Sequence, residues 1–526
     1  MRRLLLHPWL FGVYPVLYLY SVNLDEVSGP GDVVPALLVT LGLTALLVVI
    51  ARLVLRSWPK AAALTSLLLV LVFSYGHVWR AIDGADLTEA GGRDYWLLAL
   101  WGIIAVGGAV AIWRSSDPLP GLTMVLNVAA LVLVGVAASS VVLGLIDDGR
   151  SAVAASPTEA GSAVGVTPVA DPPDDGRPPD IYLLVFDRYG GERTLEKTYG
   201  YDNAGFLAGL EERGFYVAHD AIGNYPNTAH SLATSLNLGY LDHLTASAGP
   251  DTGDWEPVYS MVTDNEVGRF LEDLGYRQVQ IPSWWEPTRD STTADVILSY
   301  DPLSEFSRVL LNTTAVQAAA IHLGLVEDEA DPRRVEWNRV QYQLEQVAAV
   351  PRGDQPVFVF AHILLPHHPY VFAADGSFQT VVDEEELSQV ERYVGQVEYA
   401  NDQIELLVDE LLDVPEDERP IILLQSDEGP APRPRRDAPP PPGDDTPYWL
   451  TYSDDQLRQK FGILNTFYLP GDDGAELYQG ISPANNFRLV FNAYFGTDLP
   501  LLDDRAYVWT DQAHLYEFTD VTDRLG

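Results

Sequence analysis

Polar and apolar residues divide this chain into two regimes. Up to residue 146, Leu, Val, Ala and Ile run on in long stretches with hardly a charge; beyond residue 180 the apolar residues come in short runs separated by amphipathic segments. Five of the long stretches are sufficient to span a bilayer, which needs about 20 apolar residues in a helix. They are Leu4–Val22, Val33–Leu55, Ala61–Trp79, Tyr95–Trp113 and Leu122–Ile146. The first has no small-residue cleavage site and four more follow, so it reads as an anchor and not as a signal peptide. Trp9, Trp58, Trp79, Trp96, Trp101 and Trp113 lie in or near the span ends, several of them where an aromatic belt is expected. His77 and Asn127 are polar residues at membrane depth.

The charges of the connecting segments orient these spans. With the N-terminus in the cytoplasm, the inner flanks hold Arg2, Arg3, Arg52, Arg56, Lys60 and Arg114. The outer ones hold only Arg80 and Arg93 among Asp25, Glu26, Asp32, Asp83, Asp86, Glu89 and Asp94. Basic residues stay inside, and an odd number of spans places everything after Ile146 outside the cytoplasm. The pattern predicts a multi-pass plasma-membrane protein of three parts. These are a helical membrane region over 1–146, a flexible linker over 147–179 rich in Ala, Ser, Gly, Pro and Asp, and an extracytoplasmic domain over 180–526.

In the third part, Asp180-Ile-Tyr-Leu-Leu-Val-Phe-Asp187 is a continuous apolar run closed by acids, the pattern of a buried parallel strand. Further strands are expected at Gln278–Ile281, Val357–Ala361, Pro420–Gln425 and Ile463–Leu469. Helices are expected at Asn203–Arg213, Thr228–Leu236, Asn265–Leu274 and Glu384–Leu412. Alternating strands and helices predict an α/β domain with a central, mostly parallel sheet. Its site belongs beyond the C-terminal ends of the strands. Pro430 to Pro447 reads as an irregular Pro- and Arg-rich insertion.

Four clusters at strand ends or helix starts carry candidate chemistry. Asp187 ends the first strand. Thr228, in Asn224-Tyr-Pro-Asn-Thr-Ala-His-Ser231, falls at a helix start because Pro226 disfavours helix before it. Backbone amides there favour an oxyanion, and a metal can turn the hydroxyl into a nucleophile; an ordinary N-cap Thr is the alternative. Asp427 and Glu428 are adjacent carboxylates at a strand end, which repel unless a cation lies between them; a polar turn is the alternative. In His362-Ile-Leu-Leu-Pro-His-His-Pro-Tyr370, His367 and His368 sit between prolines and suit an oxyanion or a metal. Buried, backbone-bonded histidines are the alternative.

In this order along an α/β chain, the clusters resemble the alkaline phosphatase/sulfatase superfamily. They look most like its membrane-anchored hydrolases and transferases, which include lipoteichoic acid synthase and the phosphoethanolamine transferases. The resemblance implies an alkaline-phosphatase-like fold, a divalent metal at Asp187 and Asp427, Thr228 as the nucleophile and metal contact, and His367 on the phosphoryl or leaving oxygen. It also implies an anionic lipid-linked or polymeric envelope substrate. The family's Asp-His-Gly reads Asp427-Glu428-Gly429 here. Glu428 can still ligate, and three carboxylates favour Mn²⁺ or Mg²⁺, with Zn²⁺ or Ca²⁺ admissible. The added charge calls for a compensating cation, for which Arg188, Arg289, Arg433, Arg435 and Arg436 are candidates. The Trp/Arg pair lining the lipoteichoic acid synthase pocket suggests Trp284, Trp285 and Arg289 as substrate contacts, with His368 and Arg433 beside them.

Composition narrows the function. A net charge of −42 without a basic stripe excludes a nucleic-acid partner. The chain has no cysteine. Sulfatases of this fold use a formylglycine made from Cys or Ser in a Cys/Ser-x-Pro/Ala-x-Arg motif, and none precedes the Thr228 helix. Phosphoryl transfer or phosphodiester hydrolysis is therefore expected ahead of sulfate-ester hydrolysis, and ahead of a receptor or scaffold that keeps the fold without the site.

Overall fold

The computed structural model describes residues 4–22, 30–83, 93–115, 119–154, 177–300, 305–323, 332–432, 449–471 and 476–526. Most of the expected linker (155–176) and most of the Pro/Arg-rich insertion (433–448) lie outside the described residues. The chain divides into two units. One comprises Met1–Ser156 with Asp301–Asp331, the other Pro157–Tyr300 with Pro332–Gly526.

The first unit is helical. Among the described residues, four helices are long and apolar enough to cross a membrane: Val33–Leu55, Trp58–Trp79, Trp96–Arg114 and Pro120–Val142. The expected first span forms the helix His7–Val22, only 16 residues long. At 1.5 Å per residue it extends about 24 Å, short of the ~30 Å hydrocarbon core. Its start is satisfied by protein rather than water. Asn127 Oδ1 accepts from the amides of Leu6 (3.1 Å) and His7 (2.8 Å), and Asn127 Nδ2 donates to Leu4 O (2.9 Å). That accounts for an Asn at membrane depth. His77 packs edge-on against Tyr18, at a centroid distance of 5.7 Å.

The second unit is built on a seven-stranded sheet. In chain order its strands are β1 (Ile181–Phe186), β2 (Tyr216–Val217), β3 (Arg277–Ile281), β4 (Val296–Ile297), β5 (Val357–Ile363), β6 (Ile421–Gln425) and β7 (Asn465–Tyr468). Their spatial order is β2-β7-β6-β1-β5-β3-β4. β6, β1, β5, β3 and β4 are mutually parallel; β7 runs antiparallel to β6, and β2 to β7. A separate hairpin pairs β8 (Tyr507–Trp509) with β9 (Phe518–Asp520). The two-residue strands are too short to leave an apolar run in the sequence.

β1 lies at the centre, fully buried, and its alternate residues feed opposite cores. Ile181, Leu183 and Val185 pack with the helices Thr228–Leu236, Glu266–Asp273 and Pro483–Phe495. Tyr182, Leu184 and Phe186 pack with Ala204–Glu212, Pro332–Ala349 and Gln389–Leu412. Helices thus cover both faces, as a parallel sheet requires. The expected helix Glu384–Leu412 is two, Val381–Glu386 and Gln389–Leu412. Ser388 breaks the run, because its hydroxyl accepts from Glu391 N while the Glu391 carboxylate accepts from Ser388 N, a capping box.

Candidate active site

Parallel register brings the first donors together. Val185 of β1 lies opposite His362 of β5, Phe186 lies opposite Ile363, and the Asp187 amide donates to Ile363 O (2.9 Å). On the other side of β1, Val185 lies opposite Gln425 of β6, two residues before Asp427. Three C-terminal strand ends therefore present Asp187, His362 and Asp427 to one point. One ligand-type atom from each lies within 4.8 Å of the others. Asp187 Oδ1, Asp427 Oδ2 and His362 Nε2 are all buried without a hydrogen-bond partner. Unsatisfied buried polar atoms are costly, and three converging ones fit a cation. The charges agree. Burial, then Asp187 and Glu428, pushes the Asp427 carboxyl well above its usual range. Burial also works to raise Asp187, but His367, His362 and Arg188 outweigh it and hold that carboxyl below the usual range.

His362 is the donor that sequence reading passed over. It opens the cluster containing His367 and His368, but the expected strand stops at Ala361, one residue before it, whereas β5 runs on to Ile363. Its polarity at the end of a buried strand was the available signal, as for Asp187. Its Nδ1 faces the hydroxyls of Ser283 (3.1 Å) and Thr288 (3.4 Å). The Thr288 hydroxyl in turn donates to Trp285 O (3.0 Å). These contacts hold the ring by Nδ1 and turn Nε2 toward Asp187 Oδ2, 3.5 Å away.

Thr228 is the first residue of its helix. The N-cap is Asn227, whose side chain accepts from Ala229 N (2.9 Å). Thr228 is thereby spared the capping role, and its side chain lies close enough to Asp427 to oppose, weakly, the upward push of burial on that carboxyl. His230, in the same segment, belongs to the core: it stacks on Trp509 at 4.5 Å, and burial lowers its pKa to about 3.

Glu428 faces two cations. Lys460 Nζ lies 2.7 Å and Arg188 Nε 2.8 Å from its Oε1, and both Lys460 and Glu428 are almost fully buried. Burial lowers the Lys460 pKa against the opposing pull of Glu428. Gly429 follows because its backbone lies against the Gln459, Lys460 and Gly462 carbonyls, where a Cβ has no room. Lys460 left no mark in the sequence; it lies on the helix Asp454–Phe461, away from the parallel strand ends. Replacing Lys460 by Met leaves a buried carboxylate with one partner fewer, and breaking a buried pair costs about 3–5 kcal/mol. Lys460→Met should lower stability by about that amount, and Lys460→Met/Glu428→Gln should recover most of it. Denaturant titration of the detergent-solubilised chain checks this, and a double variant no better than the single one refutes it.

Arg188 adopts a left-handed backbone (φ 63°), uncommon outside glycine. The Tyr393 hydroxyl holds that turn by donating to Arg188 O (2.8 Å) and accepting from Gly190 N (3.0 Å). The side chain reaches both Glu428 and His368 Nδ1 (2.9 Å). His367 stacks on His368 at 4.3 Å, and its Nδ1 bonds the His368 carbonyl. Burial lowers the His367 pKa to about 3, leaving the ring neutral. Arg188, His368, Tyr370, Glu384, Arg392 and Tyr393 line a pocket of about 400 Å³. A larger one, about 740 Å³, is bordered by Arg193, Lys197, His219 and Arg458 and holds none of the expected site residues. Trp285 stands edge-on to His362, 6.0 Å between centroids. Arg289 ends the short helix Glu286–Arg289. Arg433, Arg435 and Arg436 lie outside the described residues.

The sequence profile of the sulfatase family matches residues 182–477, more than half of the chain and the whole stretch from β1 to beyond β7. The chain belongs to the sulfatase family. None of the curated proteins matches this sulfatase-family chain. Among solved structures it is similar to the C-terminal periplasmic domain of EptC from Escherichia coli, at 13% identity over 68% of this chain and 97% of that one, with a TM-score of 0.43. The integral membrane lipooligosaccharide phosphoethanolamine transferase A (EptA) from Neisseria meningitidis is 12% identical over 93% and 95% of the two chains, with a TM-score of 0.36. A phosphonate monoester hydrolase of Agrobacterium radiobacter is 12% identical over 63% and 80%, also at 0.36.

Proposed function

We propose that this chain is a metal-dependent phosphoryl-group transferase or phosphodiester hydrolase, acting outside the cytoplasm on envelope or lipid-linked substrates. The observation that carries the reading is the convergence of buried, unpartnered atoms of Asp187, His362 and Asp427 at one point, with Thr228 near Asp427 at the start of its helix. Asp187, His362 and Asp427 would hold the metal, with Thr228 as a further contact and Glu428 turned to Lys460 and Arg188. One imidazole beside two carboxylates suits Zn²⁺ or Mn²⁺ better than Ca²⁺. A divalent ion there supplies a Lewis acid that lowers the pKa of the Thr228 hydroxyl.

Thr228 then attacks phosphorus, forming a phosphothreonine and breaking the bond to the leaving oxygen. His367 donates through Nδ1 to a carbonyl, so its Nε2 is the free base. It takes up the threonine proton and returns it to the leaving alkoxide. A second alcohol, or water, reverses the sequence and frees Thr228. Arg188, aimed by Glu428, meets the non-bridging oxygens. A divalent ion with Arg188 and Lys460, set against three carboxylates, leaves one surplus positive charge. That complements the single negative charge of a phosphodiester better than the two of a monoester. The family name favours sulfate esters as a second reading, but this chain has a threonine at the position and no cysteine from which to make formylglycine.

For location, the helix His7–Val22 supplies the fifth crossing, with Asn127 standing in for water at its start. The charge asymmetry then places the catalytic unit outside. Turnover of matched aryl substrates by the metal-loaded chain should favour a phosphodiester over a sulfate ester by at least about 100-fold, a difference of about 2.7 kcal/mol in barrier. The reverse preference would make it a sulfatase.

A further inference from the structure

Between β4 and the helix Pro332–Ala349 the chain leaves the catalytic unit. Residues Asp301–Asp331 belong to the unit of the membrane helices. Their described part is a hairpin of two eight-residue helices, Glu305–Asn312 and Ala315–His322. Phe306 and Leu310, one turn apart, are buried with Val16, Val33 and Ala36, and Leu19, Tyr20 and Phe73 pack around them. At the bend, Thr313 O accepts from the Gly76 amide (2.8 Å). A Cβ on Gly76 would lie 2.7 Å from the Thr313 Cα, so the close approach needs glycine there.

These partners fix the depth. Val33 and Ala36 are the first and fourth residues of the span Val33–Leu55, and Gly76 is three residues before the end of Trp58–Trp79. At 1.5 Å per residue, Gly76 and Ala36 lie about 4.5 Å inside the span ends. All lie at one end of the bundle, the end at which Pro120–Val142 also finishes. The second helix reads Ala-Val-Gln-Ala-Ala-Ala-Ile-His. It is far too short to span a bilayer, yet Val316 is 55% exposed, and Leu323, two turns on along the same stripe, 71%. The exposed apolar side chains of the spans, Leu38 and Val39 among them, belong to the same unit.

We propose that this hairpin is a membrane-interface anchor inserted into the catalytic chain, its Val316–Leu323 stripe seated in the acyl–headgroup boundary of the bilayer. An apolar helix at this depth inserts about 5–10 Å. The polypeptide passes between the two units three times, after Ser156, Tyr300 and Asp331. The anchor therefore ties the chain of the second unit to the membrane unit at points other than the linker, which raises its effective concentration toward lipid-linked substrates.

The chain lacks cysteine, so Val316→Cys and Leu323→Cys each place one environment-sensitive fluorophore on an exposed position of the full-length protein in phosphatidylcholine vesicles. Leu38→Cys serves as the span reference. Brominated phosphatidylcholine should remove most of the emission at 316 and 323, as at 38, while aqueous iodide leaves it intact. Iodide quenching would show a water-facing hairpin and overturn the proposal. Protection from both quenchers would show a protein covering, such as a second copy, and would overturn it equally.

Discussion

Thr228→Ala should lower turnover of a phosphodiester on the order of 10⁴-fold while costing far less in metal affinity. The loss is that of a nucleophile, whose removal typically leaves only the residual catalysis of the surrounding electrostatics. Thr228 offers one hydroxyl to the donor set, whereas Asp187, His362 and Asp427 offer the three atoms that converge. Metal affinity, followed by calorimetry, should therefore fall by no more than about 10–100-fold. Acid-quenching the parent during turnover should leave phosphate on Thr228, visible by mass spectrometry; the variant should show none. Thr228→Ser keeps the hydroxyl and should retain measurable activity. Turnover untouched by Thr228→Ala would remove the nucleophile from the mechanism, whatever the metal does.

Asp427→Asn should abolish turnover and also reverse the sign of a stability effect. In the metal-free protein two buried carboxylates converge, and burial with Asp187 and Glu428 raises the Asp427 pKa. A carboxyl whose folded pKa is raised binds its proton more tightly when folded. Its stabilisation is present at low pH and is lost as pH rises through the folded value. At neutral pH Asp427 thus weighs against the metal-free fold, and Asn, of similar shape and uncharged, relieves it. The metal-free variant should melt higher than the metal-free parent. Adding metal should raise the parent by about 2.7 kcal/mol at a hundredfold excess over Kd, and the variant by far less. Melting curves with and without chelator give all four values. A variant that melts lower than the parent without metal, yet gains as much on adding it, would show that Asp427 is no ligand.

Much of this was legible because a strand end is a local event. Asp187 and Asp427 each terminate a run of apolar residues, and Thr228 follows a proline that sets where its helix begins. His362 was hidden by a strand boundary: β5 runs two residues past Ala361, and that short extension is what brings the ring opposite Val185 of β1. Lys460 could not be found from spacing, since its partner Glu428 lies 32 positions away and nothing local separates a buried lysine from a surface one. The cations facing Glu428 fell in the same blind spot, because they are set by tertiary packing. The helices of 305–322 were equally opaque, as an amphipathic pattern reads alike whether its apolar side meets a soluble core or a bundle of spans. The break at Ser388 was written in a capping box but lay inside a continuous helical periodicity.

The donors Asp187 and His362 stand on neighbouring strands in parallel register. Their separation follows from the ~4.8 Å spacing of the sheet's own hydrogen bonds, and not from the course of any loop. The residues lining the 400 Å³ pocket come largely from connections, the turn after β1, the segment after β5 and the start of the helices that follow. Change can therefore accumulate in the lining of this pocket without disturbing the converging donors. A chain of this design can trade one bound group for another by exchanging loops, while the donor set is inherited with the backbone.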